Sequence, residues 1–210
     1  MTTETEPDLT PQRPRGPYRK GVQKRQEIVA AAAEVFAEFG YRGGSLRTIG
    51  DHVGMSSASL IQYFGSKEGL LDAVLQDWKA ASNGRQDQDL RGLAFFNQAR
   101  EVMRYHAQHR AEIELFITVT SEATSESHPA HTFVHDRYAS TVADFQRHFV
   151  EAIADGEVQP MSEAEIEQEM RVHIATMDGL ELQWLIDPAI DLVGLFDRHL
   201  DQTIARWQQP

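Results

Sequence analysis

The residues whose type and spacing first suggest a chemical role are five histidines. His128, His131 and His135 are spaced by three and four residues, and His106 and His109 precede them. Imidazole is a common zinc ligand, so this spacing raises the question of a metal site. His128, however, precedes a proline in a break between helical patterns, and exposed or hydrogen-bonded histidines explain the pattern without a metal. We therefore predict no metal ion and no other cofactor.

No other group of residues forms a familiar catalytic motif. The 210-residue chain has no cysteine, which excludes disulfides, thiolate metal sites and cysteine nucleophiles. It also lacks a phosphate-binding loop, HExxH, a nucleophile elbow and paired ExxH sequences. An enzyme is one alternative function class, and the absence of such a constellation argues against it. We predict that the protein is not an enzyme.

The composition predicts a folded protein of the cytoplasm. Hydrophobic residues make up 41% and charged residues 25% of the chain, as in ordinary globular proteins. No apolar stretch approaches the roughly 20 residues needed to cross a bilayer, and the first residues lack the apolar middle of a signal peptide. We therefore expect no membrane contact.

Charge is distributed unevenly along the chain, although the net charge is −12. Between Pro11 and Lys67 there are nine Lys and Arg residues against four Asp and Glu, whereas from Glu68 onward there are 11 against 25. An acidic surface repels a phosphate backbone, so only the basic segment is suited to contact nucleic acid. Ordinary charge scatter remains the alternative explanation.

Short amphipathic helices are predicted for this basic segment. Apolar residues recur at three- and four-residue spacing over Lys24–Phe39, and Gly40 ends that helix. Ser45 can cap a second helix that ends at Gly54. Three further turn and cap residues delimit a third helix and begin a fourth: Ser56, Gly65 and Ser66.

The rest of the chain shows helical patterns without strand alternation or repeats, so the predicted fold class is all-α. Short turn sequences separate five further predicted helices: Leu90–His106, Arg110–Ser121, Thr132–Ala154, Ser162–Ile186 and Ala189–Trp207.

Two short helices joined by a tight glycine-containing turn occur in DNA-binding helix-turn-helix units, but also as plain helix packing. The residue types favour the DNA-binding interpretation, because their ordered combination resembles the TetR/AcrR family of repressors. The matching positions are Arg25, Ile28, Ala31, Phe36, Phe39-Gly40-Tyr41, Ser45 to Gly50, Val53 to Ser56, Tyr63 to Glu68 and Leu71.

The resemblance implies a three-helix DNA-binding head with a helix-turn-helix over residues 21–66. It also implies a larger helical domain over residues 67–210 that dimerises and binds an effector. The implied function is that of a homodimeric repressor that releases a palindromic, double-stranded DNA operator when a small, largely apolar ligand binds. A helical adaptor that binds only protein is the third alternative.

The resemblance also implies roles for single residues. Ser45 and Thr48 would contact phosphate, and Lys67 would hold the DNA backbone electrostatically. Ile61 departs from the family pattern, which usually has a tyrosine there; Tyr63 substitutes for it, or Ile61 packs inward or against a thymine methyl group. The remaining residues expected at the DNA, with Gln62 as the main base contact, are Arg47, Ser56, Ser57, Ser59, Gln62 and Tyr63.

Residues 1–20 are rich in proline and poor in apolar groups, and we predict a flexible leader. Its basic residues Arg13, Arg15, Arg19 and Lys20 could lie in a minor groove or remain a solvated tail.

The last two helices carry an apolar seam at three- and four-residue spacing. In the family that the chain resembles, these helices pack against their symmetry mates in a four-helix bundle. Packing within one chain is the alternative. The seam residues are Ile166, Met170, Ile174, Met177, Trp184, Val193, Phe196, Leu200 and Ile204.

Between the head and the seam, aromatic residues alternate with polar ones, which suits a pocket for a largely hydrophobic molecule. Core packing is the alternative for most of them. The predicted pocket residues are Trp78, Phe96, Met103, His106, Phe116, Thr120, His131, His135, Tyr138, Phe145 and Met177.

Overall fold

The fold consists of helices. The computed structural model describes residues 16–83, 87 and 89–209, and no β-strand occurs among them. The predicted all-α fold class is confirmed. The helices in chain order are α1 (Gly16–Gly43), α2 (Leu46–Val53), α3 (Ser57–Phe64), α4 (Lys67–Asn83), α5 (Gly92–Gln108), α6 (Arg110–Glu122), α7 (His131–Ala154), α8 (Glu163–Ile186) and α9 (Leu192–Gln208).

We call the first three helices, residues 16–64, the head. α1 is amphipathic, and its inward side chains Ile28, Ala32 and Phe36 have no exposed surface. The helix begins before its predicted start at Lys24, so residues 16–20, which the sequence assigned to the leader, are helical. The predictions for Arg13 and Arg15 fall outside the described residues. Near its end α1 kinks at Gly40, where φ is 68°.

We call the helices from α4 to α9 the body, and the head shares its core with them. Leu71 and Trp78 of α4 and Phe116 and Val119 of α6 belong to the same buried cluster as the inward face of α1. A second cluster joins α5, α7, α8 and α9. Burial of the shared apolar surface therefore holds the head against α4 and α6.

The helices predicted for the body are present, with ends that differ by a few residues. The start of α8 agrees with the prediction because it is set locally: Ser162 and Glu165 each accept a hydrogen bond from the other's backbone N–H, which forms a capping box. Within the described part of the chain, no helix is both long and apolar enough to span a membrane.

Most of the residues predicted for the dimer interface lie in the core of a single chain. Side chains enclosed by their own chain offer little surface to a second subunit, and their part in a dimer interface stays a prediction. Met177, Val193 and Ile204 are half-buried. The core residues, with their exposed fractions, are Ile166 (4%), Met170 (0%), Ile174 (7%), Trp184 (9%), Phe196 (0%) and Leu200 (0%).

Candidate DNA-binding surface and effector cavity

The beginning of α2 presents hydroxyl groups next to the first N–H groups of the helix. Ser45 has an extended backbone and caps α2: its Oγ accepts a hydrogen bond from the Thr48 N–H at 3.1 Å and lies 2.8 Å from Thr48 Oγ1. Ser45 and Arg47 are exposed, and Thr48 is half-buried. Hydroxyls beside the positive end of a helix suit a phosphate oxygen. Ser45 is thus a cap, and its phosphate contact stays a prediction.

A tight turn sets α3 against α2. Gly54 ends α2 with φ of 67°, a left-handed conformation that side chains disfavour. Gly50 permits close approach of the two segments, because a Cβ there would overlap the carbonyl oxygen of Met55. The Met55 N–H donates to the Gly50 carbonyl at 2.8 Å. The predicted helix-turn-helix therefore depends on these two glycines.

The first turn of α3 repeats the arrangement of α2. Ser56 Oγ accepts a hydrogen bond from the Ser59 N–H at 3.1 Å and lies 2.9 Å from Ser59 Oγ. Ser56 is exposed, whereas Ser57 and Ser59 are half-buried. Hydroxyls therefore also cluster where α3 begins.

The outer face of α3 is open to a partner. Leu60 is buried, while Gln62 is exposed and Ile61 and Tyr63 are 46% and 42% exposed. Ile61 thus does not pack inward, which excludes one of its predicted roles. An exposed amide, a phenol and an apolar side chain lie together where a groove-binding helix would contact base edges.

Lys67 is engaged within the protein. Its Nζ donates a hydrogen bond to the Tyr41 carbonyl and lies 4.3 Å from the centre of the Tyr41 ring. Burial lowers the pKa of Lys67 from its usual value. The ammonium group therefore connects α4 to the end of α1, and its contact with DNA phosphate stays a prediction.

Tyr41 lies at the junction between head and body and was not singled out as a site residue. Its N–H donates to Glu122 Oε2 at 2.7 Å, and its hydroxyl donates to Glu68 Oε1 at 2.8 Å. His128 packs edge-on against the Tyr41 ring, and its Nε2 lies 3.4 Å from Glu122 Oε2. The motif around Tyr41 could have suggested this role, but no local pattern marks Glu122 as its partner.

A cavity of about 500 Å³ lies in the body between α4, α5, α6, α7 and α8. Its lining combines aromatic and aliphatic side chains with polar and charged ones, and Trp78 stacks on Phe116 with ring centres 4.7 Å apart. This volume is typical of pockets for small molecules. The predicted pocket residues that line it are Trp78, His106, Phe116, Tyr138, Phe145 and Met177.

Five predicted pocket residues are not among those lining the cavity. Phe96 and Met103 have no exposed surface and belong to the second core cluster. The His131 Nδ1 lies 2.9 Å from the Ala123 carbonyl. The side chain of His135 is 71% exposed. Thr120 is half-buried and is not one of the lining residues. These five assignments to the pocket are therefore corrected.

The cavity also contains charged residues that the sequence analysis missed. Tyr138 donates to Asp178 Oδ2 at 2.7 Å, and the His106 Nδ1 lies 2.6 Å from Glu181 Oε1. Burial raises the pKa of Asp178 to about 6. Arg137 lines the same cavity, where its guanidinium lies over the Trp78 ring. Only packing shows that these charges face inward.

No group of three or more histidine, aspartate or glutamate side chains is arranged to hold a metal ion within residues 16–83, 87 and 89–209. His106 and His128 each have a glutamate nearby instead.

The outward side of α8 carries a separate apolar stripe. Val172, Leu182 and Ile186 are 59%, 45% and 76% exposed. Ala175 is also exposed and Gly179 half-buried. The five positions follow alternating three- and four-residue spacing, which places them on one side of the helix.

Comparison with known proteins agrees with this architecture. Residues 28–74 match the family model described as bacterial regulatory proteins, tetR family. The chain is 32% identical over 121 residues to the transcriptional repressor KstR2 of Rhodococcus jostii RHA1, covering 58% of this chain and 53% of that protein. It is 26% identical over 190 residues to KstR2 of Mycobacterium tuberculosis, covering 89% of this chain and 82% of the relative.

The fold extends over nearly the whole chain. The solved structure of the ketosteroid transcriptional regulator KstR2 of M. tuberculosis superposes with a TM-score of 0.69 at 19% identity, covering 89% of this chain and 96% of that one. The similarity thus includes the body as well as the head.

Proposed function

This chain belongs to the TetR family of bacterial regulatory proteins, and we propose that it acts as a homodimeric repressor whose operator is released when a small, largely apolar molecule enters the cavity of the body. The observation that carries the proposal is the exposed outer face of α3, held on a glycine-dependent turn in the basic part of the chain. A protein-only adaptor has no need for that arrangement.

DNA binding would use the head alone. α3 would enter the major groove, with Gln62 hydrogen-bonded to a base edge and Tyr63 beside it. The capped starts of α2 and α3 would approach phosphates. The acidic body would project away from the duplex, because its charge opposes that of the phosphates.

Dimerisation would use the exposed stripe on α8. Val172, Leu182 and Ile186 are large apolar side chains open to solvent on one face. A two-fold contact along this face would bury the stripe of both subunits at once. It would also place two α3 helices at the spacing of a palindrome.

Effector response would act through α4. Trp78 of this helix lines the cavity, and Lys67 at its beginning is bound to the end of α1. A ligand that binds more tightly when α4 has shifted would favour a conformation of the dimer in which the distance between the two heads no longer matches the operator. Keto-substituted polycyclic compounds belong in an effector screen, because the M. tuberculosis relative is a ketosteroid regulator.

Fluorescence anisotropy with the DNA upstream of the protein's own coding sequence tests the DNA-binding part. We expect binding that weakens as salt rises. Gln62→Ala should lose ~1–3 kcal/mol of affinity for the selected site. Gln76→Ala, which changes an exposed glutamine of α4, is the matched control and should bind as the wild type does. The proposal would be contradicted if the wild type showed no salt-sensitive binding, or if Gln62→Ala bound the DNA as tightly as the wild type.

Light scattering coupled to size exclusion tests the dimer. The wild type should have twice the chain mass of 23.7 kDa. Leu182→Glu should shift the protein to the monomer and weaken operator binding, because it places a charge in the proposed interface. Val150→Glu changes an exposed valine of α7 and should leave the dimer intact. A Leu182→Glu protein that remains a dimer would show that another face is used.

A further inference from the structure

The position of Arg137 in the cavity calls for a ligand group of particular chemistry. The residue lies on α7, and its guanidinium carbon is 4.3 Å from the centre of the Trp78 ring and 5.0 Å from that of Phe116. Among the described residues, no carboxylate lies within 4.0 Å of its nitrogens, and no acceptor is hydrogen-bonded to them. A half-buried guanidinium thus packs against two rings, and none of the described residues accepts a hydrogen bond from it.

Each acid that lines the cavity has a donor beside it. Asp178 accepts from the Tyr138 hydroxyl at 2.7 Å, and Glu181 lies 2.6 Å from the His106 Nδ1. The other two lining acids, Glu101 and Asp144, are paired with Arg104 and Arg147. The charge of Asp178 and Glu181 helps to offset that of Arg137 at a distance, but it does not satisfy the guanidinium N–H groups. The group in this part of the cavity that still lacks a hydrogen-bond partner among the described residues is therefore a donor, the Arg137 guanidinium.

Burial makes the lack of a partner costly. Removal from water lowers the pKa of Arg137, and the guanidinium stays protonated because its ordinary pKa is so high. An oxyanion that reached the guanidinium beside these rings would form charge-assisted hydrogen bonds, which are stronger than neutral ones. The planar guanidinium fork also matches two oxygens of one anionic group.

We propose that the effector is an amphipathic anion, with an apolar ring body against Trp78 and Phe116 and a carboxylate or comparable oxyanion hydrogen-bonded to Arg137. This inference rests on the proposed effector role of the cavity. The volume of about 500 Å³ accommodates a ring system of two or more rings together with such a group. The Tyr138 hydroxyl, which donates to Asp178, can still accept a hydrogen bond from a second polar substituent.

Two fluorescent probes with the same ring skeleton test the charge requirement on the full-length protein. 8-Anilinonaphthalene-1-sulfonate carries an oxyanion, and N-phenyl-1-naphthylamine is the same skeleton without it. The ratio of their dissociation constants reports the contribution of the anionic group. Arg137→Met should reduce the preference for the sulfonate by about tenfold or more, the loss expected for one charge-assisted pair.

Arg171→Met is the matched control, because Arg171 is an exposed arginine of α8 whose ion-pair partner Glu167 does not line the cavity. It should leave both dissociation constants unchanged. A smaller change of the ratio in Arg137→Met, or an equal change in Arg171→Met, would overturn the proposal.

If Arg137→Met does not fold, a measurement on the wild-type protein tests the same preference for an anion. 1-Naphthaleneacetate should displace N-phenyl-1-naphthylamine at about tenfold lower concentration than 1-naphthaleneacetamide does, since only the former is an anion. Equal displacement would overturn the proposal. Operator binding is measured separately by anisotropy, so loss of the repressor function and loss of the anion preference are distinguishable.

Discussion

Lowering the pH should destabilise this protein through one buried histidine of the body. His173 of α8 is 1% exposed, and neither of its ring nitrogens has a hydrogen-bond partner. The rings of Phe96, Phe196 and Trp207 surround it, with centres 5.8 to 6.3 Å away. A protonated imidazole would have no acceptor there.

The magnitude follows from the difference in proton affinity between folded and unfolded protein. Burial, assisted by the neighbouring His199 and opposed by Glu169, lowers the pKa of His173 from 6.5 to about 4. The unfolded chain therefore binds the proton more readily, and stability falls as the pH drops from about 6.5 toward 4. Linkage gives a loss of about 1 kcal/mol between pH 7.0 and 5.5, out of about 3 kcal/mol when both states are protonated.

Urea unfolding at fixed protein concentration, carried out at pH 7.0 and 5.5, measures this loss. His173→Phe keeps an aromatic ring in the enclosure but cannot be protonated, so its free energy of unfolding should fall by about 1 kcal/mol less than that of the wild type. His135→Phe, at an exposed position of α7, should retain the wild-type dependence. If His173→Phe loses as much stability as the wild type over this range, the argument is refuted.

Two substitutions in and near the head test its local contacts. Gly50→Ala should lower the thermal unfolding temperature and abolish operator binding, since the new Cβ would overlap the Met55 carbonyl oxygen. Gly21→Ala is the control: its Cβ has no neighbour within 4 Å, so it should be neutral or stabilising. Glu122→Gln should cost about 1–3 kcal/mol in urea unfolding, because the Tyr41 N–H loses its charged acceptor at 2.7 Å. An unchanged unfolding curve would show that this junction does not stabilise the head.

The helix-turn-helix was predictable because its determinants are local. Ser45 and Ser56 cap the two helices with their own side chains, and Gly54 ends the first in a left-handed conformation. Each of these interactions joins residues only a few positions apart, so residue type and spacing specify it. The exposure of Ile61 depended instead on how α3 packs.

The periodicity of α8 did not distinguish its buried side from its exposed side, because both sides of that helix are apolar. Met170 and Ile174 lie on the buried side, and Val172 and Ile186 lie on the exposed one. Three- and four-residue spacing occurs on each side, and periodicity alone does not say which side meets the core. The packing of α8 against α7 and α9 decides it.

The sequence by itself determined that this chain is a bundle of helices with a DNA-binding head, since propensity, caps and motif all act within a few residues. Only the tertiary structure decided that Arg137, Asp178 and Glu181 share one cavity. Charged residues on amphipathic helices ordinarily face water. Their burial here results from contacts between helices far apart in sequence, which no local pattern encodes.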